Sequence, residues 1–210
     1  MADVPGLLRF QFTPKFLTGV PTGRFGNKIG TSPGSAVDFT ARVGRTPVFV
    51  GAALDILHYG RETRRIAPFP AIPEVFSNVD TTNRLFRTHA LLRLQPVTGR
   101  LRPYAEGLLG FSYVYTRTSV DLGDEGAQAG TTHLDDFAPS LGAGGGVTIG
   151  LVSVPGARFA LDIGLRYLTS SEVDYLAPGE LQRDESGVTF EPTRSPATMF
   201  GVQIGLAVDF

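Results

Sequence analysis

The sequence contains no cysteine and no tryptophan, and only 2 of its 210 residues are methionine. Without cysteine there is no disulfide framework, no thiolate metal site and no thiol nucleophile. An excess of charge of one sign is also missing, because 19 lysines and arginines stand against 20 aspartates and glutamates. Such a balance gives no reason to expect a nucleic-acid surface, so we expect no nucleic-acid partner.

Long apolar runs are absent as well. No run approaches the roughly 18–20 residues that a membrane-spanning helix needs. This leaves a membrane barrel open, because its strands are about ten residues of alternating character. Residues 1–6 lack a basic region followed by an apolar stretch, so no signal peptide is recognisable. If the chain is such a barrel, we expect that the signal has been removed and that Met1 stems from expression.

The apolar residues of this sequence follow a period of two residues and not the period of a helix. Apolar residues recur at i and i+2, and the 26 glycines and 15 prolines interrupt most helical windows. This is the pattern of β-strands. The sequence predicts eight strands, at 7–17, 36–44, 48–59, 83–95, 103–118, 137–151, 158–170 and 197–210.

The connections between these strands alternate in length. Segments 18–35, 60–82, 119–136 and 171–196 are long, whereas 45–47, 96–102 and 152–157 are short. Strict alternation predicts an up-and-down meander with all long loops at one end and both termini at the other. Outer-membrane barrels show this asymmetry, with short periplasmic turns and long external loops.

The two faces of each strand differ in polarity. In strand 158–170, Phe159 and Ile163 share one face, and Asp162 and Arg166 share the other. A soluble lipocalin-like barrel, the structural rival, would turn the apolar face inward, whereas a membrane barrel turns it outward. The membrane barrel is favoured because the polar faces of the strands mix charged residues with glycine, alanine, serine and threonine, as a narrow barrel interior requires. We therefore predict one all-β domain over 1–210, an eight-stranded antiparallel transmembrane barrel.

Charged residues on the inward faces form the main candidate site. They are Arg9, Lys15, Asp38, Arg42, Asp55, Arg87, Arg93, Glu106, Asp162, Arg166 and Asp209. Charges removed from water must pair or become neutral. We interpret them as a salt-bridge network that plugs the lumen; a gated polar or proton path is the alternative. An eight-stranded barrel has room for side chains or one small ligand, and not for an open pore.

Catalytic and metal-binding constellations are poor. The chain has three histidines, His58, His89 and His133, and no Gly-x-Ser-x-Gly motif. His133 lies near Asp135 and Asp136, but an acidic loop with one histidine is more typical of a solvated segment than of a metal site. The glycines of 142–146 do not follow the dinucleotide-binding pattern. We expect no catalytic residues, no metal and no cofactor.

One external loop is unusually apolar. Residues 66–76 are rich in proline and carry Ile66, Phe69, Ile72, Val75 and Phe76. Exposed apolar patches usually mark interactions. The loop is expected either to fold back over the barrel mouth or to contact a partner or a hydrophobic ligand.

Two segments carry a family resemblance. The alternating segment 201–210 ends in the aromatic Phe210, and 102–111 reads Arg-Pro-Tyr-Ala-Glu-Gly-Leu-Leu-Gly-Phe. Both resemble strands of the small bacterial outer-membrane β-barrel superfamily, the OmpA/OmpX/OmpW-like eight-stranded proteins. The resemblance implies an outer-membrane location, lipid and lipopolysaccharide neighbours, and recognition of Phe210 by the barrel-assembly machinery. Since the sequence ends at Phe210, we expect no peptidoglycan-binding domain of the kind that full-length OmpA-type proteins carry.

Three functions remain open at this stage. The leading hypothesis is a non-enzymatic outer-membrane protein with an envelope-structural role, or with a surface-interaction role through its external loops. The second is a narrow OmpW-like conduit or binding site for a small, hydrophobic molecule. The third is a lipid-modifying surface enzyme, which the missing nucleophile–base motif disfavours.

Overall fold

Each long strand pairs with the next long strand along the chain, and the last pairs with the first. A computed structural model describes residues 9–66, 77–121, 128–175, 181–184, 187–190 and 193–210. Its eight long strands close into a barrel in the order β1-β12-β7-β6-β5-β4-β3-β2. The barrel strands are β1 (Phe10–Pro21), β2 (Ser32–Arg42), β3 (Val48–Ile66), β4 (Ser77–Leu94), β5 (Leu101–Asp121), β6 (Gln128–Val154), β7 (Ala157–Ser170) and β12 (Met199–Asp209). The predicted all-β, eight-stranded antiparallel fold is confirmed.

The remaining elements lie at the long-loop end. A four-residue helix, α1 (Gly23–Gly26), follows β1. Four short strands lie between β7 and β12: β8 (Glu172–Tyr175), β9 (Leu181–Asp184), β10 (Gly187–Phe190) and β11 (Thr193–Pro196). β8 pairs with β11, and β9 pairs with β10. No helix in the described ranges is long and apolar enough to cross a membrane.

Tight turns close the opposite end. Gly44, Gly99 and Gly156 each adopt a positive φ, of 58°, 103° and 84° respectively. This backbone region costs glycine little and disfavours residues with a side chain, so glycine at these positions allows the strands to reverse within a few residues. The three turns join β2 to β3, β4 to β5, and β6 to β7, as the alternation of connection lengths predicted.

Strands β3 to β6 are longer than the sequence pattern predicted. β3 continues to Ile66 rather than ending at 59, β4 begins at Ser77, and β6 begins at Gln128 rather than at 137. Strand pairing persists through Ile66↔Ser77 and through Asp121↔Gln128. The alternation of apolar and polar residues weakens where neither face of the sheet contacts lipid, but the backbone hydrogen bonds continue. The sequence pattern therefore underestimated the lengths of these strands.

The extensions continue as a sheet beyond the closed part of the barrel. β6 has 27 residues, whereas about ten residues suffice to cross the hydrocarbon layer. We call residues 60–66, 77–83, 116–121 and 128–134 the projecting sheet. The pairing of β3 with β2 ends at Leu57, and that of β6 with β7 begins at Ser140. In the described residues the sheet therefore has two strand edges without a ladder partner, one on β3 and one on β6.

Large apolar side chains cover the outside of the barrel. We call them the apolar belt; it includes Phe12, Phe16, Phe39, Val50, Leu54, Leu92, Leu109, Phe111, Leu141, Ile163, Leu165, Val202, Ile204 and Leu206, each at least 40% exposed. The side chains between them point inward and include most of the buried charges. An exposed apolar surface around a charged interior is the pattern of a membrane barrel and would not be stable in water.

Candidate functional site: the closed lumen

The lumen is filled in layers along the barrel axis. The layer nearest the short turns is built around Asp209 on β12. The Asp209 carboxylate accepts a hydrogen bond from Gln11 Nε2 at 2.6 Å and from Arg102 Nη2 at 2.7 Å. Arg158 Nε lies 3.7 Å from the same carboxylate. Arg102 and Arg158 were not among the predicted lumen charges, although the period of two from Asp162 and Arg166 places Arg158 on the inward face.

The central layer joins strands from all sides of the barrel. Asp38 Oδ2 lies 2.7 Å from a nitrogen of each of three cations, Lys15, Arg93 and Arg166. Asp38 and Arg166 are 128 residues apart in the sequence. One carboxylate oxygen therefore links β2 to strands β1, β4 and β7.

Glu106 completes this layer from β5. Its Oε1 accepts a hydrogen bond from Arg166 Nε at 2.6 Å, and its Oε2 accepts from Arg93 Nη2 at 2.7 Å. The guanidinium of Arg93 also lies 4.3 Å from the centre of the Tyr104 ring. Both arginines are at most 1% exposed. We call Lys15, Asp38, Arg93, Glu106 and Arg166 the ionic layer.

A strand face made of glycines leaves space for the side chains of the ionic layer. Gly142, Gly144 and Gly146 share the inward face of β6, where Cβ atoms built on them would approach the side chains of Leu168, Arg166 and Tyr104 respectively. A Cβ atom built on Gly144 would lie 2.9 Å from Arg166 Cγ and 3.1 Å from Glu106 Oε1. Glycine is therefore needed where the large Arg166 side chain crosses in front of β6.

Two further buried pairs lie between the ionic layer and the long-loop end. Arg87 Nε donates to Asp55 Oδ1 at 2.7 Å. His89 Nε2 and Ser140 Oγ lie 2.7 Å apart, and these two residues are 2% and 3% exposed. A serine–histidine contact is the beginning of a nucleophilic site, but catalysis requires that a substrate reaches the serine. This pair is enclosed by the barrel wall.

The outer third of the lumen is apolar rather than charged. The buried residues Leu17, Leu57, Leu85, Val114, Ala138 and Met199 point inward from the barrel strands. Phe25 of α1 inserts among them and lies 5.0 Å from Tyr175 of β8 and 5.9 Å from Tyr59 of β3, measured between ring centres. We call these residues, with Ile29 and Val173, the apolar plug. The apolar plug was not predicted, because the segment 18–35 has no periodicity that would place its apolar residues in the lumen.

A side chain from β6 holds β8 in place beside the plug. Asp136 Oδ2 accepts a hydrogen bond from the backbone nitrogen of Asp174 at 2.8 Å, and Asp136 Oδ1 accepts one from Phe137 at 2.7 Å. The β8–β11 hairpin is thereby fixed next to the barrel mouth. The long loop that contains it, taken from the sequence as an external segment, therefore contributes Val173 and Tyr175 to the lumen.

The structure corrects one member of the predicted charge network. Arg9 is exposed just before β1, where the barrel has already opened to the aqueous side, so it is not part of the buried network. Arg42 is buried near the same rim, and its Nε donates to the carbonyl of Gly44 at 3.1 Å. The other predicted charges, Lys15, Asp38, Asp55, Arg87, Arg93, Glu106, Asp162, Arg166 and Asp209, all lie inside the barrel.

The other candidate residues are dispersed. His58 is exposed on β3, and His133 lies in β6. Ile66 is the last residue of β3, while Phe69, Ile72, Val75 and Phe76 lie outside the described residues. Phe210 is exposed and its ring lies 5.9 Å from that of Phe10. Among the residues that the structure describes, no group of three or more potential metal-binding side chains is present.

Comparisons with known proteins give a match at the level of structure. No protein-family model matches the sequence, and no curated protein matches it. Neisserial surface protein A has the same fold, with 17% identity, a TM-score of 0.50, and coverage of 96% of this chain and 97% of that chain. Also similar are OprG of Pseudomonas aeruginosa (13% identity, TM-score 0.44, 99% of each chain) and Ail of Yersinia pestis (11% identity, TM-score 0.41, 96% and 97%).

The fold is that of the small eight-stranded outer-membrane β-barrels. Its inside-out polarity, with the apolar belt outside and the ionic layer inside, is the property that a lipid environment requires. The chain is thus an integral β-barrel protein of the bacterial outer membrane, and its short turns and both described chain ends lie at the same end of the barrel.

Proposed function

We propose that the protein is a closed, non-conducting barrel that anchors the projecting sheet at the cell surface, where this sheet binds a partner. The observation that carries the proposal is the length of β3 to β6, which continue as paired strands well beyond the apolar belt. Strands outside the membrane add nothing to anchoring. Unpaired strand edges, such as those on β3 and β6, are surfaces to which another chain can add a strand.

The filled lumen supports a role outside the barrel rather than within it. The ionic layer crosses the centre, and the apolar plug lies over it at the outer mouth. A conduit for a small molecule would need a path past both. The enclosed position of Ser140 and His89 likewise favours a non-enzymatic role over lipid modification.

The apolar belt and β12 suggest the remaining partners. Lipids of the outer membrane, including lipopolysaccharide in the outer leaflet, would surround the belt. The barrel-assembly machinery would read β12, whose lipid-facing residues alternate up to the exposed Phe210.

The closed lumen predicts an absence of conductance. Purified protein in planar lipid bilayers is expected to give no reproducible current steps, because no open path crosses the ionic layer. Folding of each preparation is checked by the heat-dependent gel mobility typical of barrels, and a larger porin in the same bilayers serves as the positive control. Reproducible steps that change on Glu106→Gln would show a polar path through the lumen and would contradict the proposal.

Removing the projecting sheet tests the proposed function. Residues 61–82 and 117–133 would each be replaced by an Asn-Gly turn, because Gly60↔Asn83 and Thr116↔Leu134 are register partners that such a turn can join. The shortened barrel keeps the apolar belt, the ionic layer and the apolar plug. We therefore expect it to fold and to insert like the full-length protein.

The two forms are then compared in a strain that lacks the gene. We expect the full-length protein alone to restore surface phenotypes such as adhesion to host cells or surfaces, with at least a tenfold difference from the shortened form. Resistance to detergents and large antibiotics reports on envelope integrity and should be the same for both. If the shortened barrel restores every phenotype of the deletion strain, the barrel itself carries an envelope-structural role and the proposal is wrong.

A further inference from the structure

The exposed charged side chains that the described residues place at the short-turn rim of the barrel are all arginines. Arg9 precedes β1, Arg45 lies in the turn between β2 and β3, and Arg100 lies in the turn before β5; all three are exposed. Among the described residues, no other exposed side chain at this end carries a charge. We call these three residues the arginine collar.

Carboxylate side chains of the described residues do not balance the arginine collar. Among the described residues, Asp209 is the carboxylate side chain at this rim. It already accepts hydrogen bonds from Gln11 and Arg102 and pairs with Arg158. Within the described ranges, Arg9, Arg45 and Arg100 form no ion pair with a carboxylate. At the opposite rim, by contrast, the exposed Arg194 pairs with Glu172 at 3.2 Å and lies 3.9 Å from Asp174.

The collar lies at the depth of the lipid headgroups. Arg9 directly precedes Phe10, and Arg100 directly precedes Leu101, whose side chains are 42% and 64% exposed on the lipid-facing surface. Val43, 45% exposed, marks the same boundary two residues before Arg45. Each guanidinium is therefore within reach of the plane where hydrocarbon gives way to phosphate.

We propose that the arginine collar binds the phosphate groups of anionic phospholipids in the periplasmic leaflet. A guanidinium is planar, stays charged and donates two parallel hydrogen bonds to phosphate oxygens, which makes arginine better suited to this ligand than lysine. Attraction of basic residues to an anionic leaflet amounts to about fivefold in association for each residue near the surface. The collar would thus select the lipids around the barrel at one leaflet and fix the depth of its short-turn end.

The test measures lipid selectivity at the surface of the intact barrel. The protein is reconstituted into phosphatidylcholine vesicles, and spin-labelled phosphatidylglycerol and phosphatidylcholine report the relative association constants of the two lipids. Both leaflets have the same composition, so the orientation of insertion does not affect the result. We expect a roughly fivefold preference for phosphatidylglycerol in the unmodified protein, which decreases at high salt.

Two matched triple variants locate the preference. Arg9→Gln with Arg45→Gln and Arg100→Gln should reduce the preference to about onefold, whereas Arg24→Gln with Lys28→Gln and Arg194→Gln at the opposite rim should leave it nearly unchanged. All six side chains are exposed, so both variants are expected to fold.

Several results would overturn the proposal. One is a preference that survives in the collar variant, and another is no preference in the unmodified protein. A third arm adds inorganic phosphate to the vesicles: complete loss of the preference at millimolar phosphate would identify a site for a free ion rather than a lipid-binding rim. A soluble acidic polymer that displaces the spin-labelled lipid at equal charge concentration would point instead to an acidic macromolecule as the ligand.

Discussion

Replacing Asp38 with asparagine is expected to lower the free energy of unfolding by about 3–5 kcal/mol, the usual effect of removing one partner from a buried ion pair. The side chain is 1% exposed. Its Oδ2 atom is the shared acceptor for three buried cations, Lys15, Arg93 and Arg166. Asparagine keeps the shape and removes the charge, so these cations would share one fewer counter-ion in a water-poor interior.

Equilibrium unfolding by guanidinium from lipid vesicles measures this effect. The matched control is Glu172→Gln, which breaks the ion pair with Arg194 at the external surface, where the two side chains are 51% and 67% exposed. Exposed ion pairs contribute about 0–1 kcal/mol, so the control should change little. A loss below about 1 kcal/mol in Asp38→Asn would mean that water or bound ions neutralise the cations of the ionic layer, against the reading of a closed ion-pair network.

Replacing Gly144 with valine is expected to cost about 3 kcal/mol or more, because overpacking and loss of a buried ion pair act together. The new Cβ would approach Arg166 Cγ to 2.9 Å and the Leu165 carbonyl oxygen to 2.7 Å. The backbone contact cannot relax without disturbing the pairing of β6 with β7. Arg166 would have to leave its position between Asp38 and Glu106.

Gly107→Val is the control for the same change on the other face of the sheet. Gly107 is exposed on β5, and a Cβ built there meets nothing within 4 Å. A β-branched residue at this position should leave the free energy of unfolding within about 1 kcal/mol, or raise it slightly, because strands favour valine over glycine. If both variants lose the same stability, glycine is required by the strand itself and not by the passage of Arg166.

The inward or outward direction of most barrel side chains could be predicted from the sequence. Lys15, Asp38, Arg93, Glu106 and Arg166 all follow the period of two, which depends only on the strand backbone. Lipid strengthens this signal, since a charge turned outward near the membrane centre costs about 2–4 kcal/mol. This alternation of apolar and polar residues is no longer enforced outside the lipid. For this reason the sequence pattern underestimated the lengths of β3 to β6 and wrongly placed Arg9 inside the barrel.

The partners of these charges could not be predicted. Asp38 meets Arg166 across 128 residues of sequence, and this contact depends on the register and tilt of every strand between them. The same holds for Arg102, which reaches Asp209 across the lumen from β5. Arg158 differs, because it is the register partner of Asp209 on the neighbouring strand β7. Periodicity is local to a strand, whereas closure is a property of the whole sheet.

The apolar plug likewise combines a part that strand periodicity predicts with a part that only the closed barrel decides. Leu17, Leu57 and Leu85 share the inward face with the charges, and the period of two could not tell a polar layer of the lumen from an apolar one. Phe25 and Ile29 come from a segment without strand or helix periodicity, so their burial depends entirely on the space that the closed barrel leaves at its mouth.

The sequence alone determined that this chain is an eight-stranded membrane barrel, because alternation and loop length are local properties that each strand carries by itself. Only the tertiary structure decided what fills the barrel: an ionic layer around Asp38 and Glu106 beneath an apolar plug around Phe25. Those contacts join residues from distant strands, and they exist only once closure of the sheet has set the distances across the lumen.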